Sequence, residues 1–404
     1  MKRRSAKTHL SMGRTAVVAQ AAPEIAGWGP YQFPWIERLA DGALHVTFHL
    51  HADSATSYGL SSGHAISRDE GKSWQRVAAP PSPGGLLLPN GDRLLADCAR
   101  PIPMAGLSLP PAMASRHSSY EDFEYYGADA LPPELVKAWP FLRLARGETE
   151  WKQEWATVIF HQAADVRTVT EKVLVVPYFE HNRIRVAVDG SLLATLYAMP
   201  PCFVGRRRNI AQRGFLTVLV VSHDFGRTWR EIGAIPYEPD FTADRHWDAR
   251  DGFSEPQVNE MPDGSLFALL RSEDGNGGSD NAPLYWARSE DHGVTWSRPL
   301  VFDDRGVWPQ LLTLESGGTL ASYGRPGLFV RTTLDPAGRQ WEDRVTVVDP
   351  AADTPHTNTY TCAYSGLIAL SPSCALLVYS HFKHPDSQNR PCKTILSRII
   401  EAYR

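Results

Sequence analysis

Cysteine is scarce in this chain. There are five in 404 residues (Cys98, Cys202, Cys362, Cys374 and Cys392), odd in number and scattered. No Cys-x-x-Cys pair and no Cys/His spacing points to zinc, and such a set suits buried thiols in a reducing compartment, or one or two incidental disulfides. Long apolar runs are missing too. No stretch approaches the roughly 18–20 apolar residues that span a bilayer, so no membrane partner is expected. The opening MKRRSAK is charged like the start of a signal peptide, yet the apolar stretch that follows, 15–18, is too short for a hydrophobic segment. The expectation is a disordered leader over 1–27 and a cytoplasmic rather than periplasmic or secreted location. An excess of one charge is also absent. With 41 Lys and Arg against 45 Asp and Glu, the net charge is −4, which argues against a nucleic-acid partner. The single basic run, 206–208, reads as a solvated loop. No glycine-rich phosphate loop follows a strand and no ligand cluster has zinc or calcium spacing, so no nucleotide, flavin or metal cofactor is expected.

What the chain does have is repetition. Ser-x-Asp-x-Gly-x-x-Trp occurs at Ser67–Trp74, Ser222–Trp229 and Ser289–Trp296, with a degenerate fourth copy at Thr333–Trp341 stretched by one residue between Asp335 and Gly338. Each residue type has a physical reason to be there. The Asp accepts backbone amides of a tight turn, and the Gly supplies positive φ where a Cβ would clash. The Ser hydroxyl closes the turn, and the Trp packs a large apolar body beneath the hairpin. A second signal, a turn followed by an apolar strand, begins near 41, 91, 189, 263, 317 and 373. Asn/Asp-Gly between apolar runs is a strong hairpin signal. The intervals of 50, 98, 74, 54 and 56 residues mostly fit one four-stranded propeller blade, with extra length in the second and third. Strands are also predicted at 172–176 and 216–221. The segment of about 100–150, rich in Pro, Ser, Tyr and Glu with a predicted helix at Pro133–Trp139, reads as an insertion over one face, or else as a linker. The prediction is therefore all-β: a six-bladed β-propeller of four-stranded antiparallel blades, forming one domain over 28–404.

The Ser-x-Asp turns on such a propeller resemble the Asp-boxes of the sialidase (neuraminidase) superfamily, in which they are structural and lie away from the active site. Three further segments carry the resemblance. Ser254–Arg271 (SEPQVNEMPDGSLFALLR) is similar to the family segment with a tyrosine-activating glutamate and a carboxylate-binding arginine, which implies those roles for Glu255 and Arg271. Tyr323–Val330 (YGRPGLFV) is similar to the segment with the last arginine of the triad, implying Arg325. Cys362–Leu367 (CAYSGL) is similar to the nucleophile segment, implying Tyr364. The order Glu, Arg, Arg, Tyr is the family's. The chemistry suits the types: guanidinium forks hold a carboxylate through charge-assisted bonds. A neutral Tyr deprotonated by Glu as it attacks avoids the like-charge repulsion a carboxylate nucleophile would meet beside that carboxylate.

The departures bear on substrate. Where the first triad arginine is expected, the segment Tyr31–Pro34 (YQFP) has Gln32, which donates hydrogen bonds but adds no charge. The loop His49–Tyr58, where the family's catalytic acid is expected, offers Asp53 as its only acid, and a surface-turn role for Asp53 is equally open. His49 and His51 share one side of a strand, which makes His51 a candidate acid/base. Tyr178, Glu180, His181 and Arg183 either line the same face or sit solvated on an edge strand. Three functions follow. The first is an exo-glycosidase hydrolysing a terminal carboxylated sugar, sialic acid or a related acid, with Tyr364 and Glu255 reacting and Arg271, Arg325 and Gln32 binding. The second is a sialidase-like lyase acting on uronate glycans through His51 with Tyr58 or Tyr364. The third is a non-catalytic carbohydrate-binding propeller.

Overall fold

The computed structural model describes residues 9–54, 57, 60–96, 102–103, 108–112, 114–117, 122–126, 130, 139–159, 166–169, 173–175, 183–198, 215–247, 250–274, 282–350 and 360–403. Among them the regular elements are strands, with no α-helix. Three sheets are four-stranded antiparallel meanders taken from continuous chain, 35–77, 250–303 and 307–348. A fourth joins the two ends of the protein: Ser365–Ser371, Cys374–Pro385, Pro391–Tyr403 and then His9–Gln20. An eight-stranded sheet consists of two such sets, 86–159 and 184–235, joined where Lys152–Ile159 runs parallel to Thr228–Ile235. A five-stranded sheet drawn from 102–175 stands apart from these.

Two expectations are corrected here. The leader predicted over 1–27 holds a 12-residue strand, His9–Gln20, paired antiparallel along Pro391–Tyr403 and burying Val18 and Ala19. Gly13 and bulges after Met12 and Val17 break the alternation that would have marked it as a strand. The segment 100–150 is not one insertion. Trp139–Leu144 pairs with Arg93–Ala96 and Lys152–Ile159, completing the sheet begun at Leu86–Leu87, so the extra sheet is interleaved with it. The predicted helix at 133–139 falls mostly outside the described residues, and its last residue, Trp139, opens a strand. The predicted strands near 172–176 and 216–221 are found as Val173–Val175 and Leu216–Ser222.

Spatial order follows chain order within each four-stranded set, except that His9–Gln20 takes the fourth place after Pro391–Tyr403, so every set has its opening strand at one edge. First strands of neighbouring sheets pack together, 250–260 against 307–313, 307–313 against 365–371, and 365–371 against 35–38. Apolar residues fill the spaces between the sheets. One cluster gathers Leu94, Phe141, Leu192, Val220 and Trp229 across the eight-stranded sheet, with the Phe141 and Trp229 rings stacked at 6.2 Å.

The repeated turns close the third strand onto the fourth. Ser67 Oγ donates to Asp69 at 2.8 Å and accepts the Gly71 amide at 2.8 Å, while Asp69 accepts the Ser73 amide at 2.9 Å. The copy at 289–296 repeats these bonds at 2.8, 2.8 and 2.8 Å. The copy at 222–229 does so through Asp224, which accepts the Thr228 amide at 2.7 Å. The stretched copy keeps the device: Asp335 accepts the Ala337 and Arg339 amides, and the Trp341 indole donates to the Gly338 carbonyl at 2.8 Å. The Asn/Asp-Gly turns, with Ser316-Gly317 in the same place, close the first strand onto the second, with positive φ at Gly42, Gly91, Gly190, Gly264 and Gly317. In a meander, those two turns lie at the same end of the sheet. The opposite end is left to the loops between second and third strands and to the entries into first strands.

Candidate active site

Glu255, Arg271, Arg325 and Tyr364 all lie at that opposite end, and the fold brings them together. Glu255 enters the first strand of its sheet and Tyr364 immediately precedes Ser365–Ser371; Arg271 lies toward the end of a second strand and Arg325 directly after one. Tyr364 Oη donates to Glu255 Oε1. Arg271 Nη1 donates to the same oxygen at 2.6 Å and to Tyr364 Oη at 3.4 Å. The other carboxylate oxygen, Oε2, accepts the Trp308 amide at 3.0 Å. Arg325 donates to the Cys362 carbonyl at 3.0 Å, and its guanidinium lies 5.5 Å from the Tyr364 ring and 5.2 Å from that of Trp28.

Aromatic rings fix the phenol. Trp308 stacks on Tyr364 at 4.5 Å with 22° between planes, and Phe33 meets it edge-on at 4.8 Å. Arg183 covers the indole of Trp308 at 4.4 Å and donates to the Pro309 carbonyl at 2.8 Å and the Glu255 carbonyl at 3.3 Å. The electrostatics divide the pair. Burial would push the Glu255 carboxyl up, but Arg271, the Tyr364 hydroxyl and Arg325 hold it below its ordinary value. Burial, reinforced by the Glu255 charge, pushes the Tyr364 phenol well above 10 despite both arginines. At neutral pH the cluster is thus a carboxylate facing a protonated phenol.

The backbone here departs from ordinary strand geometry. Tyr31, Phe33, Glu255, Trp308, Arg325 and Ala363, all in or beside the cluster, have φ between 45° and 78°. Such conformations cost non-glycine residues on the order of 1–3 kcal/mol and persist only where surrounding structure enforces them. Register breaks between Ser254 and Gln257 and between Val307 and Gln310 coincide with two of them. Glu255-Pro256-Gln257 and Trp308-Pro309-Gln310 are the same device in neighbouring sheets: a bulge that turns one side chain out of the sheet toward its partner.

The remaining predicted residues are spread around this group. Asp53 accepts the Trp28 indole N–H at 2.9 Å, which sets it beside the ring that Arg325 covers. His51 is exposed, and its ring makes no hydrogen bond to a described residue. His49 packs on Phe33 at 4.8 Å, and burial lowers its pKa. Gln32 is 0 % exposed and neither of its amide atoms has a partner. Tyr58, Tyr178, Glu180 and His181 lie outside the described residues. Trp308, Trp28 and Phe33 were missed in the sequence. For Phe33 and Trp308 the signal was the pattern x-Pro, shared by Phe33-Pro34, Glu255-Pro256 and Trp308-Pro309, whereas Trp28 precedes a glycine and carried no such mark.

No family model and no curated protein matches the chain. Solved structures do resemble it. A protein of unknown function from Dyadobacter fermentans aligns over 98% of this chain and 99% of its own, with 17% identity and a TM-score of 0.62. An α-L-arabinanase from Penicillium chrysogenum, complexed with arabinobiose, aligns over 96% and 98%, with 13% identity and a TM-score of 0.50. A sialidase from Streptococcus pneumoniae aligns over 95% of this chain and 70% of its own, with 11% identity and a TM-score of 0.48. At these identities the first two likenesses concern the fold, an all-β assembly of antiparallel sheets, and the third adds no argument.

Proposed function

We propose that the chain is an exo-acting glycoside hydrolase on a six-bladed sialidase-type propeller, removing a terminal carboxylated sugar, sialic acid or a related acid. The four four-stranded sheets and the two halves of the eight-stranded sheet supply the six blades. The observation that carries the reaction is the hydrogen bond from the Tyr364 hydroxyl to the Glu255 carboxylate, inside a cluster that also holds Arg271 and Arg325. As the Tyr364 oxygen bonds to the anomeric carbon, its proton passes to Glu255 and the glycosidic C–O bond breaks. The leaving oxygen takes a proton from Asp53 or from water. Water deprotonated by the now-ionised Asp53, or the hydroxide left where water was the acid, then displaces Tyr364, whose oxygen recovers its proton from Glu255, restoring the starting state with net retention at the anomeric centre. Arg325 holds the sugar's carboxylate beside Tyr364. Arg271, already bonded to Glu255, keeps that base ionised. Gln32 stands where a third arginine would add charge and its amide is fully buried, so the carboxylate is met by fewer cations, which widens the range beyond sialic acid.

The test is turnover of fluorogenic sialosides and uronides, with the anomer of the first product read by proton NMR. Turnover that is lost in Tyr364→Phe and retention of configuration are the expected results. Undiminished turnover in Tyr364→Phe, or an unsaturated uronate product absorbing in the ultraviolet, overturns the assignment.

A further inference from the structure

A second polar site lies along the inner strands, sharing Arg183 with the surroundings of the Tyr364 cluster. A cavity of about 310 Å³ opens between Ile184–Val186 and the 258–260 stretch of the neighbouring sheet. That is room for an ion with several waters, at about 30 Å³ of liquid volume per water. Arg185 forms part of its wall. Several other arginines enclosed by this fold are neutralised or saturated. Arg250 pairs with Asp244 at 3.0 Å, Arg143 with Glu154 at 2.7 Å, and Arg331 donates to three carbonyls. Arg185 has five donors and, among the described residues, uses one, to the Leu311 carbonyl at 3.1 Å. Its Nε has no acceptor, and no described carboxylate stands within ion-pairing distance. Glu260 lines the same cavity but makes no ion pair with it. Burial, with repulsion from the Arg183 guanidinium, lowers the Arg185 pKa to about 10, so the group is still charged at neutral pH.

The neighbouring strands are short of acceptors in the same way. Gln257 accepts from Arg183 through Oε1, which leaves its buried Nε2 without a partner, and Gln310 Nε2 is likewise unpartnered. Those two amides lie on strands beside the cavity without lining it; within its wall, the spare N–H donors of Arg185 face a space large enough for an ion, and an anion is their electrostatic complement. We propose that this cavity binds a small monovalent inorganic anion of the chloride class, held by Arg185 at the centre of the sheet assembly. The ion would sit between the 184–186 strand and the 258–260 stretch that form the cavity wall.

The proposal is tested on the whole protein, dialysed free of halide, by thermal unfolding in sodium chloride against the sodium salt of a bulky sulfonate buffer at equal ionic strength. A saturable, chloride-specific rise in Tm of roughly 2–4 °C is expected for the unaltered chain and none for Arg185→Met. Equal rises in both salts, or a chloride-specific rise that survives Arg185→Met, overturns it. Should Arg185→Met not fold, bromide-soaked crystals of the unaltered protein decide. An anomalous peak against the Arg185 guanidinium supports the site, and water alone there, bridging to Glu260, refutes it.

Discussion

The two ends of the sheets are built on opposite principles. At one end, each Ser-x-Asp turn satisfies itself within eight residues: a Ser hydroxyl, an Asp carboxylate and two or three amides close on one another. At the other end, Tyr364 bonds to Glu255, 109 residues away, and stacks on Trp308, with Phe33 and Trp28 arriving from the first part of the chain. Both ends use left-handed backbone, the turns at glycines and at Glu70, Phe225 and His292, the site at Glu255, Trp308, Arg325 and Ala363, none of them glycine. A saturated local motif stabilises. A strained, long-range cluster with a carboxylate held ionised against a phenol is arranged for chemistry, at some expense to stability.

Substitutions should separate the two ends. The largest effect belongs to the site: Tyr364→Phe should lower kcat by on the order of 10³-fold or more while Tm moves by less than about 2 °C, as steady-state kinetics and calorimetry would show. Equal losses in both would erase the contrast. Next comes the packing under a turn. Trp229, 0 % exposed, should cost about 3–5 kcal/mol as Trp229→Ala in denaturant unfolding, with KM unchanged in whatever remains folded. Trp308→Leu tests the join between strain and chemistry. It keeps the Glu255-binding amide but removes the stack, so kcat should fall about 10–100-fold with little change in KM.

The smallest effects are in acid. His49, His64, His381 and His384 all have pKa values lowered from 6.5, chiefly by burial, so they are neutral in the folded chain. The unfolded chain takes up protons first, so stability should fall as pH drops below about 6.5 and level off above it. The turn aspartates Asp69 and Asp291 are lowered to about 2, first by the Ser73 and Thr295 hydroxyls. Their stabilisation is complete above the ordinary value of 3.8 and lost as pH falls toward 2, a second step that Asp291→Asn should shrink. Glu255 carries the opposite reading on activity. Held below 4.5, it should leave kcat/KM without an acid limb above that pH, and a limb near 6 assigned to Glu255 would contradict the cluster's electrostatics.

Legibility in the sequence followed the range of the interaction. The turns were readable, including the stretched copy at 333–341, because every partner lies within a few residues. The strand His9–Gln20 was not, because its pairing with Pro391–Tyr403 closes the chain end to end and nothing local marks it. The extra sheet was misread as one insertion because Trp139–Leu144 belongs with Arg93–Ala96 across the intervening segment. Within the site, Glu255, Arg271, Arg325 and Tyr364 were found through resemblance rather than spacing. Trp308 was overlooked because a lone Trp-Pro reads as core or turn until its stack on Tyr364 is seen.

By itself, then, the sequence determined the repeating β-hairpins and the residue types available for chemistry, since hairpin turns depend on φ preferences and hydrogen bonds between near neighbours. The tertiary structure alone decided which of those residues meet. It joined the first strand to the last in one sheet, put Arg271 on Glu255 and left Arg185 without a counter-charge among the described residues. These outcomes depend on how sheets pack around their first strands, and that arrangement is set by the apolar faces of the whole assembly.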